Sequence, residues 1–291
     1  MIKQFNLLDG GYCTHLERMV LKGARMCNAK FPAIFAHLEH ENLGHILFDT
    51  GYSDRFISET KRLPFLLYRK ITPVFFEEKD FAVSKLKNLS INPEDIRYII
   101  ISHFHADHIG AVKDFPNAKF IYLEEGYNAV KGLSNFGSVL KGFIPNLLPE
   151  DFVDRSVLVD ENQLTSIPEI DGKFKKLYDL FGDGSFVGVK LPGHAKGQLG
   201  IIFKFNGKRF FLISDSCWMS ESFELNKLPS EFSYIIADSK KEYKETVQLL
   251  HEVHKETDLV MIPSHCGKKF LEHAKYTHIE CGKNMNGIVA K

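Results

Sequence analysis

The sequence predicts a mixed α/β fold in which two β-sheets pack together and helices cover them from outside. Three observations predict it. Short β-branched and aromatic runs recur in both halves of the chain, stretches of helical periodicity lie between them, and turn residues separate them at short intervals. The 291 residues are enough to bury a substantial core. No internal repeat, low-complexity tract or Gly/Ser linker divides them, so one domain over residues 1–291 is the expected organisation.

In the first half, FPAIFAHLE (31–39) and GHILFDTG (44–51) read as two strands, with a polar hairpin connection from Glu39 to Gly44. DFAVSKLKNLS places Phe81, Val83, Leu86 and Leu89 at helical spacing, and INPED after it is a turn. RYIIIS is a short β-branched run that suits a buried strand, and KFIYLEE is another. In the second half, SFVGVKLPGH, QLGIIFKFNGKRFFLISDS and SYIIADS read as strands, with Asn206-Gly207 as a hairpin turn. Ser239, followed three residues later by Glu242, has the spacing of a capping box and opens the helix KKEYKETVQLLHEVHKE. DLVMIPS supplies a last strand. Two stretches, 61–76 and 127–152, are too apolar for solvated loops and either cover the core or line a substrate pocket. His15 to Asn28 is either a dimer contact or a pocket wall.

Composition narrows the function. A hydrophobic content of 44% with 25% charged residues is that of a soluble globular protein. Lys and Arg number 37, Asp and Glu also 37, and no basic excess marks a nucleic-acid partner, although a local patch can hide in a neutral average. No apolar run approaches the length of a membrane span, so no membrane partner is expected. The N-terminus does not read as a signal peptide, and the five Cys (13, 27, 217, 266, 281) have no paired spacing. Free thiols in a reducing cytoplasm are the expectation.

The chemistry concentrates in IIISHFHADHIG. His103, His105, Asp107 and His108 fall within six residues, immediately after a buried strand. Imidazole and carboxylate are the nitrogen and oxygen ligands that zinc and similar divalent ions take. Burying four such groups without a metal would leave several polar atoms to satisfy at once. A tight loop at a strand end can point His103 and His105 to one side and Asp107 and His108 toward a neighbouring point. It can therefore serve two ions a few Å apart.

HFHADHIG resembles the HxHxDH signature of the metallo-β-lactamase superfamily. Further elements of that family follow in order: Asp49 and Gly51 in HILFDTG, His194 in KLPGHAKGQLG, Asp215 in FFLISDS and His265 in MIPSHCG. Singly, His194, Asp215 and His265 are each one ligand-type residue at a strand end; together they make the resemblance specific over residues 33 to 267. It implies an αββα four-layer sandwich. It also implies that His103, His105 and His194 hold one divalent ion, that Asp107, His108 and His265 hold a second, and that Asp215 bridges both. Asp49 would support a ligand loop without touching metal. Zinc is the first expectation for the two ions, and Mn or Fe suits the same ligands.

Such a site implies a hydrolase that uses a metal-bridging hydroxide on a small-molecule substrate, with Asp107 as the catalytic residue that accepts and returns a proton. Cys217 and Cys266 flank Asp215 and His265 and are either soft ligands or small buried neighbours. Among superfamily members, the sequence is most similar to N-acyl homoserine lactone lactonases. Only 26 residues follow His265, too few for the helical domain of glyoxalase II, and no flavodoxin domain or nuclease insertion is evident. Two departures stand out: Trp218 lies where these lactonases place a Tyr, and Gln198 lies where their sequence is His-rich. Opening of a lactone or other ester is therefore expected beside two alternatives, a small-molecule phosphodiesterase or thioesterase and a metal-binding sensor with little turnover.

Overall fold

A computed structural model describes residues 1–273. Twelve strands among the described residues form two sheets. They are β1 (Ile2–Leu16), β2 (Asn28–His40), β3 (Gly44–Phe48), β4 (Val74–Phe75), β5 (Ile96–Ile100), β6 (Lys119–Tyr122), β7 (Ser156–Leu158), β8 (Leu177–Asp179), β9 (Phe186–Lys190), β10 (Leu199–Phe205), β11 (Lys208–Ser214) and β12 (Val260–Pro263). The first sheet has the order β4-β1-β2-β3-β5-β6-β7 and the second β12-β11-β10-β9-β8. Antiparallel hairpins build β1 to β3, while β3, β5, β6 and β7 run parallel. In the second sheet β11 and β12 are parallel.

Three layers of apolar side chains hold the sheets and helices together. Phe5, Ala36, Leu38, Ile46 and Ile100 of the first sheet meet Phe186, Ile201, Phe203, Phe210 and Leu212 of the second in the central layer. The outer face of the first sheet buries Leu47, Ile99, Ile101 and Phe120 against Phe56 and Leu86 from the helices Asp54–Glu59 and Ala82–Asn88. The outer face of the second buries Val187, Val189, Phe211 and Ile213 against Val247, Leu250 and Val253 of the helix Lys240–Glu256. Each fully buried large apolar side chain contributes on the order of 2 kcal/mol. The result is the expected αββα sandwich.

One sequence reading needs correction, and one strand was left unassigned. SYIIADS is not a strand: Glu231–Ile235 forms a 3-10 helix. The backbone after it pairs with the PGH turn, Asp238 N donating to His194 O at 3.0 Å and Ser239 N to Gly193 O at 3.0 Å. The first fifteen residues also hold a long strand that their sequence did not announce, because Gly10-Gly11 imitates a turn. The pair instead sits at a break in register between Asp9 and Tyr12, a bulge that keeps the strand going. At the capping position, the Ser239 hydroxyl accepts from Glu242 N at 3.3 Å. Cys281 lies outside the described residues.

Glycines of two motifs are fixed by close approach. A Cβ on Gly51 of DTG would lie 2.7 Å from Gly10 Cα, and one on Gly193 of PGH would lie 2.2 Å from Tyr243 N. Both glycines also have positive φ. Gly193→Ala should therefore lower stability to urea by at least about 2 kcal/mol, because the first turn of the long helix must move. Gly132→Ala, at a positive φ with open space around it, should cost only about 1 kcal/mol.

Candidate metal centre

Every candidate ligand sits just beyond the C-terminal end of a strand. His103 to His108 follow β5, His194 follows β9, Asp215 follows β11 and His265 follows β12. Backbone bonds tie these ends together: Leu199 N to Ser102 O at 2.8 Å and Ile34 N to Ser264 O at 2.8 Å across the sheets, and Ser264 N to Ser214 O at 3.1 Å within the second. Two of the feeding positions, Asp49 and Ser214, adopt positive φ without being glycine. Such backbone is costly and persists where the surroundings over-determine it.

The seven residues come together as the sequence grouped them. Ligand atoms of His103, His105, His194 and Asp215 all lie within 4.8 Å of one another, and so do those of Asp107, His108 and His265. Asp215 faces both groups, with Oδ2 3.0 Å from His265 Nε2 and 3.3 Å from His194 Nε2, and Oδ1 3.3 Å from His108 Nε2. Asp107 Oδ2 lies 3.4 Å from His108 Nε2 and 3.3 Å from His265 Nε2. All are buried except His105, which is partly open.

Around this core, the outer ring nitrogens are pinned. His108 Nδ1 donates to Asp49 Oδ2 at 2.8 Å, while Asp49 Oδ1 accepts from Ser102 N at 2.8 Å. His265 Nδ1 donates to the Pro32 carbonyl at 2.8 Å, and His103 Nδ1 lies 3.0 Å from Ser102 Oγ. A carboxylate or carbonyl can only accept, so His108 and His265 must carry the proton on Nδ1 and can turn a lone pair inward from Nε2. Asp49 thus has the supporting position expected of it. Ser102, Ser214 and the Pro32 carbonyl were not singled out from the sequence. The Ser214 hydroxyl donates to Ser102 Oγ at 2.8 Å, and a Ser or a carbonyl carries no signal of that kind.

Do these residues suit metal ions? Among the described residues, the buried atoms His103 Nε2, His108 Nε2 and Asp215 Oδ1 have no hydrogen-bond partner. Two imidazole nitrogens, His194 Nε2 and His105 Nδ1, face each other at 3.1 Å. Burial and the neighbouring imidazoles hold His103 well below its ordinary pKa, and burial with His194 pushes His105 down to about 3. Those rings are neutral lone-pair donors. On the other side, burial opposes charge on His265, but Asp215 and Asp107 outweigh it and raise the ring to about 10. Burial likewise opposes charge on His108, and Asp107, Asp49 and Asp215 override it. Cationic imidazolium thus stands where the carboxylates call for positive charge, and a divalent ion satisfies the same demand with both imidazoles neutral. The donor set therefore fits.

Cys217 and Cys266 belong to neither ligand group; both are buried, and burial pushes both thiols up. Gln198 is spent on Ser216 Oγ at 2.9 Å. The Trp218 indole N–H donates to Asp215 Oδ2 at 3.0 Å, and its ring lies 4.2 Å from that of His265. His15 packs on the edge of Trp218 at 5.5 Å, which makes the start of the 15–28 segment a wall of the site. Gly126, Val130 and Lys141, with Phe104, line a cleft beside His105 and His194, so part of the 127–152 stretch is pocket. Phe143, Ile144, Leu147 and Phe152 of the same stretch are core.

The metallo-beta-lactamase superfamily profile matches residues 38–253. The chain belongs to the metallo-β-lactamase superfamily. Within this superfamily it is 26% identical over 232 residues to N-acyl homoserine lactonase AttM of Agrobacterium fabrum, covering 78% of this chain and 81% of that one. The fold is similar to that of an N-acyl homoserine lactone hydrolase solved with N-hexanoyl-L-homoserine at its catalytic metal centre. The TM-score is 0.68 at 19% identity, over 94% of this chain and 96% of the other. It is also similar to AidC, described as a dizinc quorum-quenching lactonase, with a TM-score of 0.63 at 14% identity over 92% and 90% of the two chains. The protein is a metal-dependent hydrolase of this superfamily.

Asp49→Asn removes the obligate acceptor facing His108 Nδ1 and frees the ring to turn its proton inward. Metal affinity, measured by competition with a chromophoric chelator, should fall by about 10- to 100-fold while circular dichroism stays unchanged.

Proposed function

We propose that this protein is a cytoplasmic dizinc hydrolase that opens a lactone, or a related ester, of a small acylated molecule. The observation that carries the reading is the pair of ligand groups meeting at Asp215, with three buried ligand atoms that lack any hydrogen-bond partner. Relatives named as lactonases, aligned over about four-fifths of both chains, supply the substrate class. The buried thiols Cys13, Cys217 and Cys266 suit a reducing compartment, and no described helix is long and apolar enough to cross a membrane.

His103, His105 and His194 would hold one ion, Asp107, His108 and His265 the other, and Asp215 both. When bound, the ions supply a hydroxide nucleophile at neutral pH and polarise the ester carbonyl. Asp107 accepts the proton released in the attack and returns it to the departing alkoxide, which gives the ring-opened hydroxy acid. Burial opposes charge on its carboxyl, but without the ions His108 and then His265 hold it ionised, the form a proton acceptor needs, and bound ions would do the same.

Trp218 takes a different part from the Tyr it stands for. Its one N–H is committed to Asp215, so it orients that carboxylate and has nothing left for a substrate carbonyl. The phenol of Tyr68 takes over that contact. It sits on the helix Phe65–Ile71, and burial, with the nearby charges of Asp107 and Asp215, pushes its pKa up, so its proton stays in place to be donated.

The test is hydrolysis by zinc-reconstituted protein of a long-chain N-acyl lactone beside a chromogenic phosphodiester. Lactone opening should dominate, Asp107→Asn should cut kcat by about 100-fold or more, and Tyr68→Phe should cost about 10-fold or more. A phosphodiester preference would move the protein out of the lactonase class, and full activity of Asp107→Asn with metal bound would remove Asp107 from its role.

A further inference from the structure

The segments 61–76 and 127–152 leave one surface that the hydrolytic site does not use. In the helix Phe65–Ile71, Phe65 and Tyr68 pack inward on the core. Leu67 and Ile71, with Leu63 one turn earlier, point to solvent at i, i+4 spacing. The helix Asn135–Leu140 touches it and repeats the pattern, with Phe136 and Leu140 on its outer side. These five large apolar side chains are between 43% and 75% exposed. Exposed apolar residues scattered singly are ordinary, whereas two contacting helices that each turn an apolar row outward form a patch that calls for a partner.

Charge identifies the partner. Lys61, Arg62, Arg69 and Lys70 frame the first row and Lys131 lies just before the second. No Asp or Glu occurs from 61 to 76 or from 131 to 149, in a chain whose Lys and Arg equal its Asp and Glu at 37 each over the full length. Among the described residues, Lys61, Arg62, Arg69 and Lys70 have no acidic side chain within ion-pair distance, although pairs such as Arg55–Asp114 and Lys85–Asp9 occur on neighbouring elements. An apolar row bordered by unpaired cations is the pattern of an interfacial surface that sinks its apolar side chains among acyl tails and sets its cations against anionic headgroups. A protein partner would be expected to meet acidic as well as basic groups at the rim.

We propose that this face docks the protein peripherally on an anionic phospholipid surface. The position suits the site: Lys141, at the end of the helix Asn135–Leu140, lines the cleft beside His105 and His194, and a Cβ on Gly142 would lie 2.7 Å from His105 Cδ2. The mouth of the site thus lies next to the docking face, where an acylated substrate partitioned into the bilayer would enter. The docking itself needs no turnover, so its test is separate from that of the lactonase reading.

The experiment is co-sedimentation of the full chain with phosphatidylcholine vesicles and with vesicles of phosphatidylcholine and phosphatidylglycerol. Partitioning onto the anionic vesicles should be about tenfold stronger or more, and should weaken as salt rises from about 0.1 M to about 0.5 M. Leu67→Glu with Phe136→Glu should reduce it to the level on neutral vesicles with Tm unchanged, since both side chains are exposed. Arg62→Glu with Lys70→Glu should abolish the preference for anionic lipid. Equal partitioning onto both vesicles, or retention by the Leu67→Glu/Phe136→Glu variant, would overturn the proposal. So would sedimentation velocity showing a dimer that the same variant converts to monomer, which would assign the face to a second copy of this chain.

Discussion

Asp107 and Asp215 are carboxylates held out of water within 3.5 Å of imidazole nitrogens, and the rest of the site is arranged around their charge. An ionised group taken from water into a protein interior costs several kcal/mol unless opposite charge and hydrogen bonds offset it. The protein's own residues can supply that charge only as protons on His108 and His265, rings that burial by itself would keep neutral. Divalent ions would resolve the conflict, neutralising the carboxylates and engaging the imidazole lone pairs of the two candidate ligand groups. Ions held there would supply an activated water, so the buried charge that makes the constellation costly by itself is also what would bring in the chemistry.

The fold keeps these groups together by placing them where two sheets end side by side. Strands β5, β9, β11 and β12 each carry candidate ligands just beyond a C-terminal end, and backbone bonds from Leu199 and Ile34 join the two sheets there. The support continues outward. Asp49 fixes His108, the Pro32 carbonyl fixes His265, and Ser102 meets both His103 and Ser214. Glycines stand where backbones touch, Gly51 against Gly10 and Gly193 against the start of the long helix. Metal geometry of this kind tolerates little looseness, which is consistent with backbone strain at Asp49 and Ser214 beside the ligands.

The candidate ligands were legible in the sequence because their chemistry is unusual where they occur. Three His and an Asp packed behind a buried strand are hard to satisfy without a metal, and His194, Asp215 and His265 gained meaning from their order after that cluster. Their supports were not legible. Ser102, Ser214 and a proline carbonyl act through contacts made by tertiary structure, and their residue types are common everywhere. The strand β1 was hidden by Gly10-Gly11, whose turn-like composition serves a bulge. SYIIADS has strand composition, but its backbone is claimed by the PGH turn and by Tyr234 packing on Tyr243 at 5.5 Å. Residues 61–76 read as core cover or pocket lining. Phe65, Tyr68, Val74 and Phe76 are partly buried against the core, while Leu63, Leu67 and Ile71 face outward on turns that composition cannot distinguish.

The central claim is that two ions, shared through Asp215, complete the buried constellation. The most direct measurement is metal content per chain by inductively coupled plasma mass spectrometry, after zinc loading and removal of excess, for the native sequence, His103→Ala and His265→Ala. The account predicts two ions per chain in the native protein and a loss centred on one ion in each variant, with the fold retained by circular dichroism. One ion or none in the native protein, or two ions retained in both variants, would contradict it.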